Sequence, residues 1–103
     1  MRVACVLVSS FAVAVERLAQ PALAQRPLVV YDRHAVIDAS PEAAGIVPGL
    51  SLRQGKALAP QATFVEANHA LYREAFDAML DALERVAPQV EPSGLGCVYT
   101  LIS

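Results

Sequence analysis

The stretch VACVLVSSFAVAVERL, residues 3–18, decides the fold of this chain. Its first part, Val3 to Val8, is short, apolar and rich in β-branched residues, which predicts a buried β-strand. Ser9 or Ser10 then caps a helix that is predicted from Phe11 to Ala19 and is ended by Pro21. The apolar residues at helical spacing in that helix are Phe11, Val15 and Leu18, with Glu16 and Arg17 off the stripe.

The same stretch also imitates a secretory signal. Arg2 precedes an apolar run, and Ala22-Leu23-Ala24 has the form of a cleavage site, so a small secreted protein with a cleaved signal is one alternative. Against that alternative, Glu16 and Arg17 separate the run from the site, and two serines interrupt the run. The run is also too short to span a membrane, which needs about 20 apolar residues. We therefore expect a folded, cytoplasmic chain.

The composition suits one small domain or a fragment of a larger one. The chain has 103 residues, of which 55% are hydrophobic and 17% are charged, and its formal net charge is -2. This balance gives no general attraction to nucleic acid, so any contact with DNA must be local. Because Cys5 and Cys97 make neither a disulfide framework nor a zinc motif, we expect two reduced, buried thiols.

A hairpin and a short helix are predicted after the first helix. Strands are expected at residues 27–31 and 35–38, joined by a polar turn. Ser40 and Pro41 then have the form of a helix start, with a capping side chain followed by a proline at the first helical position. Gly45 is expected to end this helix after little more than one turn.

The next segment predicts a tight turn, a capped helix and a strand. Pro48-Gly49 fits the central positions of a type II turn. The sequence from Ser51 to Gln54 matches a capping box, so a second short helix is expected to run to about Leu58. Residues 63–66 then predict a brief strand.

The last third predicts one long helix and a second hairpin. The helix is expected from His69 to Ala87, where Pro88 stops it. Strand-like sequences follow at 89–91 and 97–102 and predict a hairpin. The expected fold class is α+β: a short mixed or antiparallel sheet with one long helix and several short helices.

Four segments of the chain, taken in order, resemble Y-family (translesion, UmuC/DinB-like) DNA polymerases. They are VACVLVSSFAVAVERL at 3–18, PALAQRPLVV at 21–30, GIVPGLSLRQGKALAPQATFVEA at 45–67 and ALYREAFDAMLDALERVAPQVEP at 70–92. The resemblance implies an α/β palm-like start with a small fingers subdomain. It places a partial palm at 1–10 and 67–103 and the fingers-like part at 11–66, treated as one compact unit.

The family's metal-binding carboxylates have no counterpart in this sequence. By the resemblance, the three carboxylate positions fall on Leu7, Gly96 and Cys97. Leucine and glycine offer no side-chain ligand, and a cysteine thiol prefers zinc or copper to magnesium. Glu91 and Asp38 are the nearby acids, but they lie elsewhere in the pattern. If the late hairpin pairs beside the first strand, as the resemblance implies, we expect Cys5 and Cys97 to lie close together. The three substituted residues would then form an ordinary piece of apolar core.

The family's nucleotide-binding side chains are also replaced. The aromatic residue that screens the sugar falls on Ala12, and the fingers tyrosine and arginine that hold the triphosphate fall on Ala39 and Glu42. Glu42 would repel a triphosphate, because both groups carry negative charge.

These replacements imply a catalytically inactive chain that is not an enzyme and needs no metal or cofactor. Its expected role is that of a binding or adaptor module in DNA repair or damage-induced (SOS) mutagenesis, closest in character to the inactive ImuB-type proteins. The alternative is part of an active translesion polymerase that another chain or further C-terminal domains complete.

Arg53 and Lys56, on the second short helix, are the candidates for contact with a DNA backbone, against the alternative of a merely solvated face. The resemblance implies damaged DNA or primer–template as a partner. It also implies a sliding clamp or an error-prone polymerase, reached through regions outside this chain. An exposed sheet edge and an apolar helix face predict a homodimer or another protein partner, and no membrane.

Overall fold

The computed structural model describes residues 2–87 and 89–102. The predicted helix stop at Pro88 lies outside the described residues. The chain divides into two compact units. The first unit contains the residues up to Phe11 together with those from His69 onward, and the second unit is Ala12–Asn68. The elements are β1 (Arg2–Leu7), α1 (Phe11–Ala19), a 3-10 turn (Pro21–Leu23), β2 (Leu28–Asp32), β3 (Ala35–Ala39), α2 (Leu52–Leu58), β4 (Thr63–Glu66), α3 (His69–Glu84), β5 (Gln89–Pro92) and β6 (Cys97–Ile102).

The first unit contains an antiparallel sheet with the strand order β1-β6-β5. The predicted hairpin of the last two strands is confirmed, and the Thr100 hydroxyl supports it by donating to the Gln89 carbonyl at 2.7 Å. The apolar stripe of α3 buries Tyr72 and Phe76, and Val98 of β6 is fully buried. The ring of Phe76 meets Phe11 edge to face, with 5.9 Å between centroids. Burial of these side chains is the main favourable term that holds the unit together.

The second unit contains a mixed sheet with the strand order β3-β2-β4. The predicted hairpin pairs β2 with β3 in antiparallel fashion, whereas β4 pairs with β2 in parallel. The central strand β2 buries three consecutive apolar residues, the pattern of a strand covered on both faces. The α+β class is therefore confirmed, with two small sheets and three α-helices among the described residues. The core cluster comprises Val29, Val36, Ala43, Ile46 and Ala59.

The short helix predicted after Ser40 is wrong. Residues 41–45 form turns instead, in which Ala43 N–H donates to the Ser40 carbonyl at 3.0 Å and Ile46 N–H to the Ala43 carbonyl at 3.2 Å. The Ser40 hydroxyl oxygen is buried and accepts a hydrogen bond from Leu28 N–H at 2.9 Å. Because that side chain is tied to β2, it does not cap a helix.

The helix α1 has the predicted bounds but a different buried side. Glu16, predicted off the apolar stripe, is only 7% exposed, and Leu18, predicted on the stripe, is 83% exposed. Two hydrogen bonds fix this orientation within the second unit. Val13 N–H donates to Asp38 Oδ2 at 3.0 Å, and Arg17 Nε donates to the Leu23 carbonyl at 3.2 Å.

The apolar run near the N-terminus is part of the folded structure, because it forms β1 and the first turns of α1. Among the residues the structure describes, no helix has the length and apolar character needed to cross a membrane. The long helix α3 ends at Glu84, three residues before the predicted end at Ala87.

Candidate functional site

The pairing of β1 with β6 brings the three predicted metal positions together. Leu7 lies directly opposite Cys97 in the strand register, and Gly96 immediately precedes β6. Val8 N–H donates to the Gly96 carbonyl at 2.8 Å and closes this end of the ladder. Positions 7, 96 and 97 therefore share one end of the sheet in the first unit.

These three residues do not form the apolar core that the sequence predicted. Leu7 is 65% exposed, and Cys97 is only partly buried. Side chains alternate between the two faces of a strand, so exposed Leu7 shares its face of β1 with exposed Val3 and Cys5. The expectation of a buried thiol at Cys5 is therefore wrong, because this residue lies on the solvent-facing side of β1.

Gly96 is a glycine for steric reasons. Its φ angle is +79°, in the left-handed region, where a side chain is strained. A Cβ atom at this position would lie 2.9 Å from the Phe11 Cβ, closer than real Cβ contacts. The backbone at position 96 is thus incompatible with the side chain of a metal ligand unless Phe11 or the loop shifts.

The residues at these positions do not fit a pair of magnesium ions. Such ions take hard oxygen ligands, and positions 7, 96 and 97 supply none. Within residues 2–87 and 89–102, no group of three or more His, Cys, Asp and Glu side chains is placed to hold a metal ion. Glu91 is exposed on β5, and the Asp38 carboxylate accepts hydrogen bonds from Val13 N–H at 3.0 Å and Ala39 N–H at 2.9 Å.

The structure does bring the two thiols together. The Sγ atoms of Cys5 and Cys97 lie 3.9 Å apart, within the range of a weak thiol hydrogen bond, although 92 residues separate them in the chain. Burial raises the pKa of the Cys97 thiol, and the hydrogen bond and charge interaction with Cys5 raise it further. Both side chains are free thiols rather than a disulfide.

The three predicted nucleotide positions lie in the second unit. Ala12 is buried, Ala39 is half-buried, and Glu42 is exposed and forms an ion pair with Arg17. The hydrogen bond from Arg17 lowers the pKa of the Glu42 carboxyl, so this group is negatively charged at neutral pH. The position that the sequence resemblance assigned to a triphosphate contact thus carries a carboxylate that is paired with Arg17. Sequence reasoning missed the Arg17–Glu42 pair, because 25 residues separate the partners and no local pattern joins them.

A basic groove of about 410 Å³ lies beside α2 in the second unit. Arg53 and Lys56 are exposed and line this groove, as does the exposed His34. Leu52 N–H donates to the His34 carbonyl at 2.7 Å, which fixes the β2–β3 turn against the start of α2. Sequence analysis found the two cations but not His34, because the turn and the helix are separated along the chain.

Comparison with known proteins gives one consistent result. The model of the impB/mucB/samB family matches residues 6–102. DNA polymerase IV of Dehalococcoides mccartyi is 38% identical over 104 residues, covering 95% of this chain and 27% of that protein. DNA polymerase IV of Moorella thermoacetica is 34% identical over 92 residues, covering 82% of this chain and 23% of that protein. The chain thus spans about a quarter of the length of these relatives.

Solved structures give the same result for the fold. The crystal structure of DinB from Sulfolobus solfataricus matches 99% of this chain and 32% of its own, with a TM-score of 0.94 and 25% identity. A ternary complex of Dbh matches 98% of this chain and 31% of its own, with a TM-score of 0.94 and 26% identity.

A mixed α+β chain with these two small sheets is the palm-and-fingers start of a Y-family polymerase fold. The chain belongs to the impB/mucB/samB family, which is the family that the sequence resemblance indicated.

The expectation that the chain does not belong to an enzyme is wrong. The relatives that match most of the chain are named DNA polymerase IV, and the structural neighbours include Dbh in ternary complexes. The expectation followed from the replacements at the metal positions Leu7, Gly96 and Cys97 and at the nucleotide positions Ala12, Ala39 and Glu42. Replacements at six positions do not decide the class of a chain that spans about a quarter of the length of the relatives it matches.

Proposed function

We propose that this chain is the palm-and-fingers part of a translesion DNA polymerase and forms the frame that supports primer–template DNA. The observation that carries the proposal is the near-complete match of the fold to a Dbh ternary complex, at a TM-score of 0.94 over 98% of this chain. The relatives named DNA polymerase IV support the same class of activity. Nucleotidyl transfer is the reaction of that class.

In this proposal the metal-binding carboxylates come from outside positions 7, 96 and 97. The side chains at those positions offer no hard ligand, and Glu42, which the sequence resemblance assigned to the triphosphate contact, is paired with Arg17. Another part of the polymerase, or another chain, supplies the missing ligands. What this chain contributes is the scaffold of its two units, each a small sheet with its helices.

The test is primer extension by the full-length protein on an undamaged template and on a template with a lesion. Template-dependent incorporation in Mg²⁺ that is lost with chelator is the expected result. The matched control carries Cys97→Ser and should keep activity, because the proposal assigns no magnesium ligand to Cys97. Absence of incorporation, with DNA binding intact and possible partner chains added back, would contradict the proposal.

The basic groove beside α2 is the part of this chain that we assign to DNA. Arg53 and Lys56 are exposed and on the same side of α2, and the exposed His34 lines the same groove. The local cations compensate for a net charge of -2, which gives no overall attraction to DNA. Phosphate oxygens are the ligands that such side chains take, without base specificity.

Neutralising one cation tests this assignment. Arg53→Ala and Lys56→Ala should each weaken binding of duplex DNA similarly for all sequences and lower the slope of log K against log salt by about 1. Fluorescence anisotropy over a salt series measures both quantities. Arg73→Ala is the matched control, because Arg73 is an exposed arginine of the other unit, paired with Asp77. An unchanged salt slope in both groove variants would contradict the assignment.

A second candidate function is that of an adaptor, similar to the ImuB-type proteins, in damage-induced mutagenesis. The observation that favours it is the loss of hard ligands at the three metal positions together with the carboxylate at Glu42. The partners would be a sliding clamp and an error-prone polymerase in the cytoplasm, or a second copy of this chain through a sheet edge. Cross-linking in cells after DNA damage should recover those proteins with the full-length chain. Recovery of none of them, with light scattering showing a strict monomer, would count against this role.

A further inference from the structure

Two free thiols lie side by side on the exposed face of the first sheet. Cys5 on β1 and Cys97 on β6 have their Sγ atoms 3.9 Å apart, and Cys5 is exposed to solvent. Val3, Leu7 and Tyr99 are exposed around them, and the exposed Glu91 of β5, opposite Tyr99 in the register, lies on the same face. A pair of accessible thiols within 4 Å has three possible uses: a weak hydrogen bond, a disulfide or a shared metal ion.

The strand register disfavours the disulfide. Cys5 lies opposite Tyr99 and Cys97 lies opposite Leu7, so the two cysteines occupy diagonal rather than facing positions. Diagonal residues of an antiparallel pair are roughly 7–8 Å apart. Disulfides usually join Cα atoms about 4.4–6.8 Å apart, so bond formation would require the strands to move.

The distance of 3.9 Å between the two Sγ atoms allows both thiols to bind one metal ion without any movement of the strands. Two metal–sulfur bonds of about 2.3 Å that span 3.9 Å meet at about 116°, near the tetrahedral angle of about 109°. Thiolates are soft ligands that select Zn²⁺ or Cu⁺ over Mg²⁺. The exposure of Cys5 leaves an open path for an ion from solvent.

We propose that Cys5 and Cys97 together form a two-thiolate binding site for a soft metal cation of the Zn²⁺ or Cu⁺ class. Since no third His, Cys, Asp or Glu side chain joins the pair within residues 2–87 and 89–102, water or an added ligand fills the remaining positions. Each thiol loses its proton to the solvent when the ion binds, and no electron is transferred. The site does not depend on the polymerase role of the chain.

The experiment uses the reduced full-length protein without oxygen. One arm titrates Zn²⁺ by calorimetry, and the other measures Cu⁺ by competition with a coloured chelator. One ion per chain is expected in at least one arm, with both thiols protected from a thiol-specific reagent. A large excess of Mg²⁺ should not displace the ion. Absence of one-to-one binding in both arms would overturn the proposal.

Single substitutions decide whether the two thiols act together. Cys5→Ser and Cys97→Ser should each weaken binding at least about tenfold, and the double variant should show only the background from other side chains. Val3→Ala is the matched control, since it changes the same exposed face and keeps both thiols. If Cys97→Ser fails to fold, exposed Cys5→Ser still decides the matter. Unchanged affinity in Cys5→Ser would overturn the proposal.

Discussion

At the scale of single residues, backbone geometry explains the amino acid at position 96. A position that the sequence resemblance assigned to a metal-binding carboxylate holds a glycine with φ of +79° that lies against Phe11. Both the positive φ angle and the close approach of Phe11 therefore favour glycine at this position. Restoring a carboxylate here requires the Phe11 ring or the loop to move first.

Gly96→Ala should lower the free energy of unfolding substantially. A left-handed backbone costs a residue with a Cβ about 1–2 kcal/mol, and the contact with Phe11 adds roughly 1–3 kcal/mol of overpacking. Gly94→Ala is the matched control, because Gly94 has a φ of +85° but nothing within 4 Å of its Cβ position. Urea unfolding of the three proteins measures the difference. Equal losses in the two variants would show that the Phe11 contact is unimportant.

The Arg17–Glu42 pair should give the second unit an acid-sensitive contribution to stability. The pKa of Glu42 is lowered in the folded chain, so the pair's contribution is present above the unfolded pKa of about 4.3 and is lost as the pH falls through the folded pKa. Glu42→Gln should therefore lower the melting temperature at pH 7, and the gap to wild type should close toward pH 3. Glu66→Gln, at an exposed residue of the same unit, is the control. A gap that persists at pH 3 would contradict this account.

At the scale of elements, a helix or turn was predicted correctly wherever residues close together in the sequence form the hydrogen bonds that define it. The capping box predicted α2, because both of its hydrogen bonds form between residues three apart: Gln54 N–H donates to Ser51 Oγ at 3.0 Å, and Ser51 N–H donates to Gln54 Oε1 at 2.9 Å. The turn before it is also explained locally, since Gly49 has a φ of +100°. Ser40 shows the limit of such signals. Its side chain bonds Leu28, 12 residues away, and a local pattern cannot show that competition.

Ser51→Ala should destabilise the chain by about 1 kcal/mol, because α2 loses the side-chain half of its capping box. Ser51→Thr keeps an oxygen that accepts from Gln54 N–H and should stay within a few tenths of a kcal/mol of wild type. Thermal unfolding followed by circular dichroism compares the three proteins. An alanine variant as stable as the threonine variant would mean that tertiary contacts, and not the cap, hold this helix end.

At the scale of the whole molecule, the order of strands and helices along the chain predicted the fold better than any single candidate site predicted the function. Short sequence patterns predicted the hairpins and the bounds of α1. Four such segments in the right order indicated the family. The parallel pairing of β4 with β2 and the burial of Glu16 depend on contacts between distant parts of the sequence, so no short pattern could show them. The Cys5–Cys97 contact followed only from the strand pairing that the resemblance implied. The expectation that the chain does not belong to an enzyme failed for another reason: it extended six replaced residues to the class of the whole protein.

The N-terminal segment should be indispensable to the fold, although it imitates a secretory signal. All six residues of β1 pair in register with β6, and α1 follows without a break in the structure. Removing residues 2–24 would leave β6 without its partner on one side and uncover the fully buried Val98. We expect the truncated chain to lose cooperative urea unfolding. Ala24→Leu is the control: it blocks a small-residue cleavage site at an exposed position and should change stability by no more than about 0.5 kcal/mol. A truncated chain with the wild-type midpoint would show that the segment is an appendage to the fold.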